Sequence, residues 1–478
     1  MKFDITKLSK YLVTVKKPVY KVSLNKKFFW TGIVLIVYLM MSSQLFGHVY
    51  GIQEGAGLRF QALQILLGSS FGTLMTLGIG PIVTAGIILQ LLIGSKIIDW
   101  NLHDPDDRKK YEATQKLSSI ALCFVEACAF VLGGAVPPRS YDVFTVSIVI
   151  LQLAFGGLIV ILLDEIVSKW GIGSGISLFI AAGVSSRIII RLFSPFTPSG
   201  TFPLPGNPPS GVFWGFIYGL MQNEFYIALQ NLLPIISTVL VFLIVVYTQG
   251  ISVDIPLSFS ALRGFGRTWS LKLFYTSNIP VILTAALLAN FQLFGGMMAK
   301  PSPDNPNLKC SILGCFSQTQ GGSVPVSGMM YYLSAPRTFL FDVFTGNATS
   351  KLYLRALTYL TFMIILCIIF SVFWVSTSGM DAETVANQIS SIGMQIPGYR
   401  SSPRIIKEVL NRYIPPLSVI GGALIGFIAA LADFTGALGT GTGILLTVTI
   451  IYNFYEQLKT EKMEGAHPLI RRVMEESR

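Results

Sequence analysis

Residues 171–178 read GIGSGISL and residues 439–446 read GTGTGILL, so two distant segments of this chain share five identical positions. The shared residues are three glycines at alternate positions, an isoleucine and a leucine. In both places the motif opens a long apolar run. This near-repeat indicates that the chain was built by duplication.

Two further echoes appear in the same order along the chain. PIVTAGII from Pro81 resembles PVILTAALL from Pro280, and Pro137-Pro138 precedes one apolar run as Pro415-Pro416 precedes another. If each copy holds an odd number of membrane spans, the second copy must be inverted relative to the first. Inverted repeats predict a path near the bilayer midplane.

The composition is that of a multi-pass membrane protein. Of the 478 residues, 52% are hydrophobic and 12% are charged, and mean hydropathy is +0.63. A span needs about 20 mostly apolar residues to cross about 30 Å of hydrocarbon. Ten runs qualify, five in each half: 28–46, 72–95, 117–136, 143–164, 172–192, 232–253, 274–298, 354–376, 414–432 and 436–457.

The distribution of basic residues predicts the orientation. Most of the 35 Lys and Arg fall in segments that share one side when the amino terminus is cytoplasmic. Ten spans then return the carboxyl terminus to the cytoplasm of a cell-membrane protein. At the amino terminus, Ile5, Leu8, Leu12 and Val15 recur at helical spacing among lysines, which predicts an amphipathic helix on the anionic inner surface.

The sequence does not favour an enzyme or a metal site. No nucleophile and base pair, HExxH or Cys/His spacing falls within the spans, and no cofactor is expected. Cys310 and Cys315 share an external loop, and either a local disulfide or free thiols fit their spacing.

An ion-coupled secondary transporter is the alternative, because inverted repeats are common in that class. Coupling usually needs carboxylates inside the membrane, and Glu126 is the one deep carboxylate. The other candidates lie at span ends, where we interpret them as solvated caps: Asp164, Glu165, Asp254 and Asp433.

Two long cytoplasmic loops favour a large partner. One carries Arg263 and Arg267 in SFSALRGFGRTWS, and the other carries Arg400, Arg404 and Lys407 in IPGYRSSPRIIKE. Basic residues at glycine-flanked loop tips suit the phosphate-rich RNA of a ribosome.

Five motifs together resemble SecY, the protein-conducting channel, in its archaeal form, over about residues 20–460. They are GTLMTLGIGPIVTAGIILQLL from Gly72, DEIVSKWGIGSGISLFIAAGVS from Asp164, SNIPVILTAALLANFQLF from Ser277, RYIPPLSVIGGALIGF from Arg412 and GALGTGTGILLTVTIIYNFYEQL from Gly436. The resemblance implies an all-α membrane protein of ten transmembrane helices, in two inverted five-helix halves around an hourglass pore. The pore opens sideways to lipid between spans two and three on one side and seven and eight on the other.

The resemblance also implies the site residues. The pore ring falls on Ile79, Val83, Ile172, Ile176, Ile282 and Leu446. The plug, a short helix over residues 60–70, contains Phe60, Leu63, Ile65, Leu66, Leu67, Gly68 and Ser70. The lateral gate carries Thr84, Glu126 and Asn290, and the ribosome-binding loops carry Arg263, Arg267, Arg400 and Arg404. Such a channel moves unfolded polypeptides across the membrane and releases transmembrane segments sideways.

The implied partners are SecE, a small beta or SecG-like subunit, the ribosome with its nascent chain, signal sequences and lipid. The predicted divisions are a cytoplasmic segment 1–27, a first half 28–192, an external linker 193–231, a second half 232–457 with external loop 297–353, and a cytoplasmic tail 458–478. The external loop has the composition of turns and linkers.

Overall fold

The computed structural model describes residues 14–20, 22–43, 45–53, 70, 72–94, 97–100, 104–132, 136–197, 208–259, 266–301, 308–319, 322–391, 393–395 and 402–465. Most of the predicted amphipathic helix, most of the plug and the tail beyond residue 465 lie outside these ranges. Val15, at the end of that predicted helix, is described and is not helical.

Each of the ten predicted spans contains a helix. The first half has α1 (Leu24–Ser42), α2 (Gly80–Gly94), α3 (Pro105–Leu132), α4 (Val143–Trp170) and α5 (Gly175–Phe193); the linker has α6 (Val212–Met221); the second half has α7 (Phe225–Gln249), α8 (Ile279–Met297), α11 (Ser350–Thr377), α13 (Pro403–Phe434) and α14 (Gly441–Gly465). By length and composition alone, seven helices in the described part of the chain can cross a membrane, and three shorter ones are apolar. The chain is therefore a multi-pass helical membrane protein.

The second predicted span is only partly helical. The sequence predicts a span over 72–95, but α2 begins at Gly80. Ahead of it, residues 72–79 form a buried irregular turn in which Thr73, Met75 and Leu77 have no exposed surface. The Thr76 hydroxyl accepts the Gly72 N–H at 3.1 Å and donates to the Thr73 carbonyl at 2.5 Å. Irregular backbone is tolerated at membrane depth where protein buries it and satisfies its polar groups.

The two halves share one continuous apolar core. Within the first half, α4 packs against α1, α3 and α5; within the second, α11 packs against α8 and α13. The halves meet where α5 contacts α14 and where α2 contacts α11. Tyr38 and Phe179 stack inside the first half with ring centroids 4.9 Å apart.

The two basic loops, both predicted to be cytoplasmic, form a single body. Strands β1 (Ser252–Phe259) and β2 (Gly266–Lys272) form an antiparallel hairpin in the first loop. In the second loop, α12 (Ala382–Ser391) leads to β7 (Met394–Gln395), which pairs with β1 through Ser258 and Gln395. Their apolar side chains form a separate small core, which includes Ile255, Leu271, Val385, Ile389, Ile406 and Leu410. We call this unit the cytoplasmic body.

The external loop is folded, although its composition is that of a linker. It contains β3 (Lys300–Pro301), β4 (Leu308–Ser311), β5 (Gly314–Thr319) and β6 (Gly322–Ser327), paired antiparallel in that order, followed by α9 (Met329–Leu333) and α10 (Phe339–Phe344). Cys310 and Cys315 are directly opposite across β4 and β5 and form a disulfide. Phe316 is fully buried, and its ring packs against Gly295 near the end of α8.

Candidate pore and lateral gate

The predicted pore-ring residues lie on four helices or in the turns that lead into them, and these helices begin in the same way. In each, the residue two positions before the first helical residue has a positive φ: Gly78 (+54°), Gly173 (+71°), Ser277 (+54°) and Gly439 (+92°). Glycine adopts this conformation without steric cost, whereas other residues seldom do. Such a residue turns the chain sharply into the helix, so α2, α5, α8 and α14 each start inside the protein.

The structure places the ring residues in or against the shared core. Ile79, Ile172 and Leu446 are buried, with at most 6% of their surface exposed. Val83, Ile176 and Ile282 are partly buried and pack against the core cluster to which Ile79 and Leu446 belong. The second half contributes α8 and α14, which contact each other, and α14 contacts α5 of the first half.

Side chains from other elements hold the backbone of three ring residues. The Ile172 N–H donates to the Thr31 hydroxyl of α1 at 3.1 Å. The Ile176 N–H donates to Asp164 Oδ1 at 3.0 Å, and the Asn278 amide donates to the Leu446 carbonyl at 3.4 Å. Neither Thr31 nor Asn278 was expected from the sequence, in which the one relevant signal is that Asn278 stands just before the Pro280 echo.

The predicted gate residues lie at the expected helices. Thr84 on α2 lies within interaction range of the partly buried Glu126 carboxyl on α3. Asn290 lies on α8, and its side chain is outside the described part of the structure. Because α2 of the first half also contacts α11 of the second, one face of the molecule is a seam between the halves.

Three carboxylates interpreted as solvated caps are not solvated. Asp433 is 5% exposed, and it accepts the Gly441 N–H at 2.7 Å and the Tyr359 hydroxyl at 2.7 Å. Asp164 is partly buried and caps α5. Glu165, with its side chain 16% exposed, pairs with Lys116 at 2.7 Å. The error arose because a span end on the sequence is not a solvent-facing end when another helix begins against it. Asp254 is exposed as expected.

Most of the other predicted site residues cannot be compared with the structure. Arg263, Arg400 and residues 60–69 are outside the described ranges. Arg267 lies on β2 opposite Leu257, and Arg404 is exposed near the start of α13. Of the plug residues, Ser70 is described; its carbonyl accepts the Thr73 hydroxyl at 2.7 Å.

A helical membrane bundle of two halves that meet along a seam on one face has the architecture of a membrane channel. The SecY family model matches residues 73–455. The protein translocase subunit SecY of Pyrococcus furiosus is 42% identical over 98% of this chain and 97% of its own length. That of Methanocaldococcus jannaschii is 44% identical over 96% and 97%. The chain belongs to the SecY family.

Solved structures agree. One described as the structure of a protein conducting channel has a TM-score of 0.77 and 43% identity, covering 96% of this chain and 98% of that one. A second structure, described by the role of the SecY plug domain in stabilising the closed state of the translocation channel and maintaining a membrane seal, has a TM-score of 0.75 and 42% identity, covering 96% of this chain and 98% of that one. Sec61 in the canine ribosome-channel complex has a TM-score of 0.73 and 42% identity over the same shares. The fold expected from the sequence is confirmed.

Proposed function

We propose that Ile79, Val83, Ile172, Ile176, Ile282 and Leu446 form the constriction through which this chain, a subunit of a protein-translocation channel, passes unfolded polypeptides. The observation that carries the proposal is that these side chains lie at four helix starts, two in each half. Ile79 and Ile172 lie in the turns that lead into α2 and α5, and the other four lie on the helices themselves. Each helix starts inside the protein after a positive-φ residue, and helix starts that meet at a repeat interface are common in membrane pathways. The role is conduction rather than catalysis.

We call these six residues of the constriction the collar. Because their side chains are apolar, the collar can both block ions and let varied polypeptides pass. A narrow ring of isoleucine, valine and leucine dewets, which blocks ions without a specific binding site. The side chains hold polypeptides only by dispersion contacts, which do not depend on sequence. A varied substrate therefore passes while water and ions are excluded.

The seam between the halves is the proposed lateral gate. Polar groups among apolar side chains hydrogen-bond one another, typically for about 1 kcal/mol or less per bond. Thr84 and Glu126 belong to the first half and Asn290 on α8 belongs to the second, so polar contacts between these groups across the seam act as a weak latch that a transmembrane segment overcomes by entering lipid. A latching role gives Glu126 a function without ion coupling, and family membership favours this reading over the transporter alternative.

Residues 60–70 are the proposed plug, supported by the solved SecY relative whose plug domain is described as maintaining the seal. They precede the buried turn at 72–79, which leads directly to Ile79 of the collar. A plug at this position closes the pore from outside.

Ribosome docking is proposed for the cytoplasmic body through Arg263, Arg267, Arg400 and Arg404. Support comes from the relative solved in a ribosome-channel complex and from the pairing of β1 with β7, which brings both basic loops together. The further proposed partners are SecE and a small beta or SecG-like subunit. The proposed location is the cell membrane with both termini cytoplasmic.

Planar-bilayer recording of the full channel complex tests the collar. Replacing Ile79, Ile172 or Ile282 by asparagine is expected to raise resting ion conductance because a polar collar holds water. Ile189→Asn is the matched control, since Ile189 is on α5 but 57% exposed. If the collar variants conduct no more than the Ile189 variant, the proposed constriction is wrong.

A further inference from the structure

In each half, a carboxylate at the end of one helix caps the pore helix that follows it. Asp164 near the end of α4 accepts the N–H of Ile176 on α5 at 3.0 Å. Asp433 at the end of α13 accepts the N–H of Gly441 on α14 at 2.7 Å. The two halves thus use the same device, although the echo motifs themselves do not contain either aspartate.

The two carboxylates pair N–H groups that would otherwise have no hydrogen-bond partner where a helix begins inside a membrane protein. The first N–H groups of a helix have no partner in the helix, and leaving them unpaired in an apolar medium costs several kcal/mol. At α5 the adjacent residue does not help, because Ser174 makes no side-chain cap. A carboxylate supplies both hydrogen bonds and a charge favourable to the helix dipole.

The caps also bear directly on the collar. Ile176 is a ring residue and is itself the donor to Asp164. A Cβ on its neighbour Gly175 would lie 2.6 Å from Asp164 atoms, so only glycine lets the two helices approach this closely. In the second half, Gly441 starts the helix that carries Leu446 little more than one turn later.

Asp433 also accepts a hydrogen bond from α11, a helix of the proposed gate. Tyr359 of α11 donates its hydroxyl to Asp433 Oδ2 at 2.7 Å, and both residues are buried. The α11 helix contacts α2 across the seam between the halves. One carboxylate therefore touches a helix of the proposed gate and the start of a helix of the proposed collar.

We propose that Asp164 and Asp433 are positioning residues that hold the collar closed, and that the Tyr359–Asp433 bond couples movement of α11 at the gate to α14 at the collar. The inference rests on the collar assignment made above. It predicts two separable effects: loss of a cap loosens the resting seal, whereas loss of the tyrosine hydroxyl uncouples the gate and leaves the seal.

The test records resting conductance of the full channel complex in planar bilayers. Asp164→Ala and Asp433→Ala are expected to raise the open fraction about tenfold or more, the change expected when a hydrogen bond to a charged group is lost. Asp164→Asn and Asp433→Asn keep an acceptor oxygen and should recover most of the seal. If an alanine variant fails to assemble, Asp164→Ser or Asp433→Ser replaces it, because the shorter serine side chain does not reach the N–H group and should conduct as alanine does. Asp142→Ala is the matched control, because Asp142 stands before α4 and its side chain makes no cap.

Tyr359→Phe is tested in an insertion assay with model segments of graded leucine content. It should change the hydrophobicity needed for insertion while resting conductance stays within about twofold of the parent. If neither quantity changes, the coupling is wrong. If Asp164→Ala and Asp433→Ala stay as silent as Asp142→Ala while the collar asparagine variants conduct, the positioning role is overturned and the collar stands. If the collar variants are also silent, the collar assignment itself fails.

Discussion

Gly156→Ala should destabilise this protein far more than a single methyl group normally does. A Cβ at Gly156 on α4 would lie 1.9 Å from the Leu74 carbonyl oxygen, whereas ordinary contact begins near 3.4 Å. The obstacle is backbone, so α4 and the 72–79 turn must separate by more than about 1 Å. Overpacking of this kind costs about 1–3 kcal/mol, against a gain of about 0.5–1 kcal/mol for alanine over glycine in a helix.

The chain provides a control of the same chemistry. A Cβ at Gly32, inside α1, meets nothing within 4 Å, so Gly32→Ala should be neutral or stabilising. The gain of alanine over glycine is common to both variants, so thermal unfolding of the reconstituted complex should separate them by the overpacking cost, about 1–3 kcal/mol. The 72–79 turn leads to Ile79, so Gly156→Ala should also raise resting conductance. Equal stability of the two variants would refute the argument from close approach.

Other predictions follow from single contacts. Ser277→Gly should be tolerated within about 0.5 kcal/mol, whereas Ser277→Val should cost about 1–2 kcal/mol in thermal unfolding, because φ is positive there. Replacing Cys310 by serine should remove about 2 kcal/mol from the external sheet, seen as faster proteolysis of the loop with unchanged resting conductance. Glu126→Gln should shift the insertion threshold without abolishing translocation; complete loss of activity together with ion-gradient dependence would favour a transporter. Arg400→Glu should weaken ribosome binding with a reduced salt dependence, and binding that stays unchanged across a salt titration would exclude Arg400 as a contact.

The sequence located the spans because bilayer thickness fixes the length of an apolar run. It did not locate where the pore helices begin, as α2 shows: residues 72–79 are as apolar as a helix but form a turn, set by positive φ at Gly72 and Gly78. A glycine in the sequence does not by itself predict a positive φ, and Ser277 has a positive φ although it is not a glycine.

Contacts between residues that lie far apart along the chain could not be predicted from the sequence. The cytoplasmic body depends on Ser258 pairing with Gln395, and no local pattern connects residues so far apart. The external sheet was missed because its strands are short and rich in turn formers. The buried caps were missed because the partner of Asp433 includes Tyr359 on another helix, and the sequence alone suggested only a span end.

The α13 helix is long enough to act as a lever. Its 32 residues extend about 48 Å at 1.5 Å per residue, from the cytoplasmic body to Asp433. Pro415 and Pro416 lie inside it and weaken its backbone ladder, so bending is easiest there. Asp433 lies about 26 Å beyond that bend, where a rotation of about 5° displaces the carboxyl by about 2 Å. A bend of this size at the prolines would therefore be enough to break the hydrogen bond from the Gly441 N–H to Asp433, which is only 2.7 Å long.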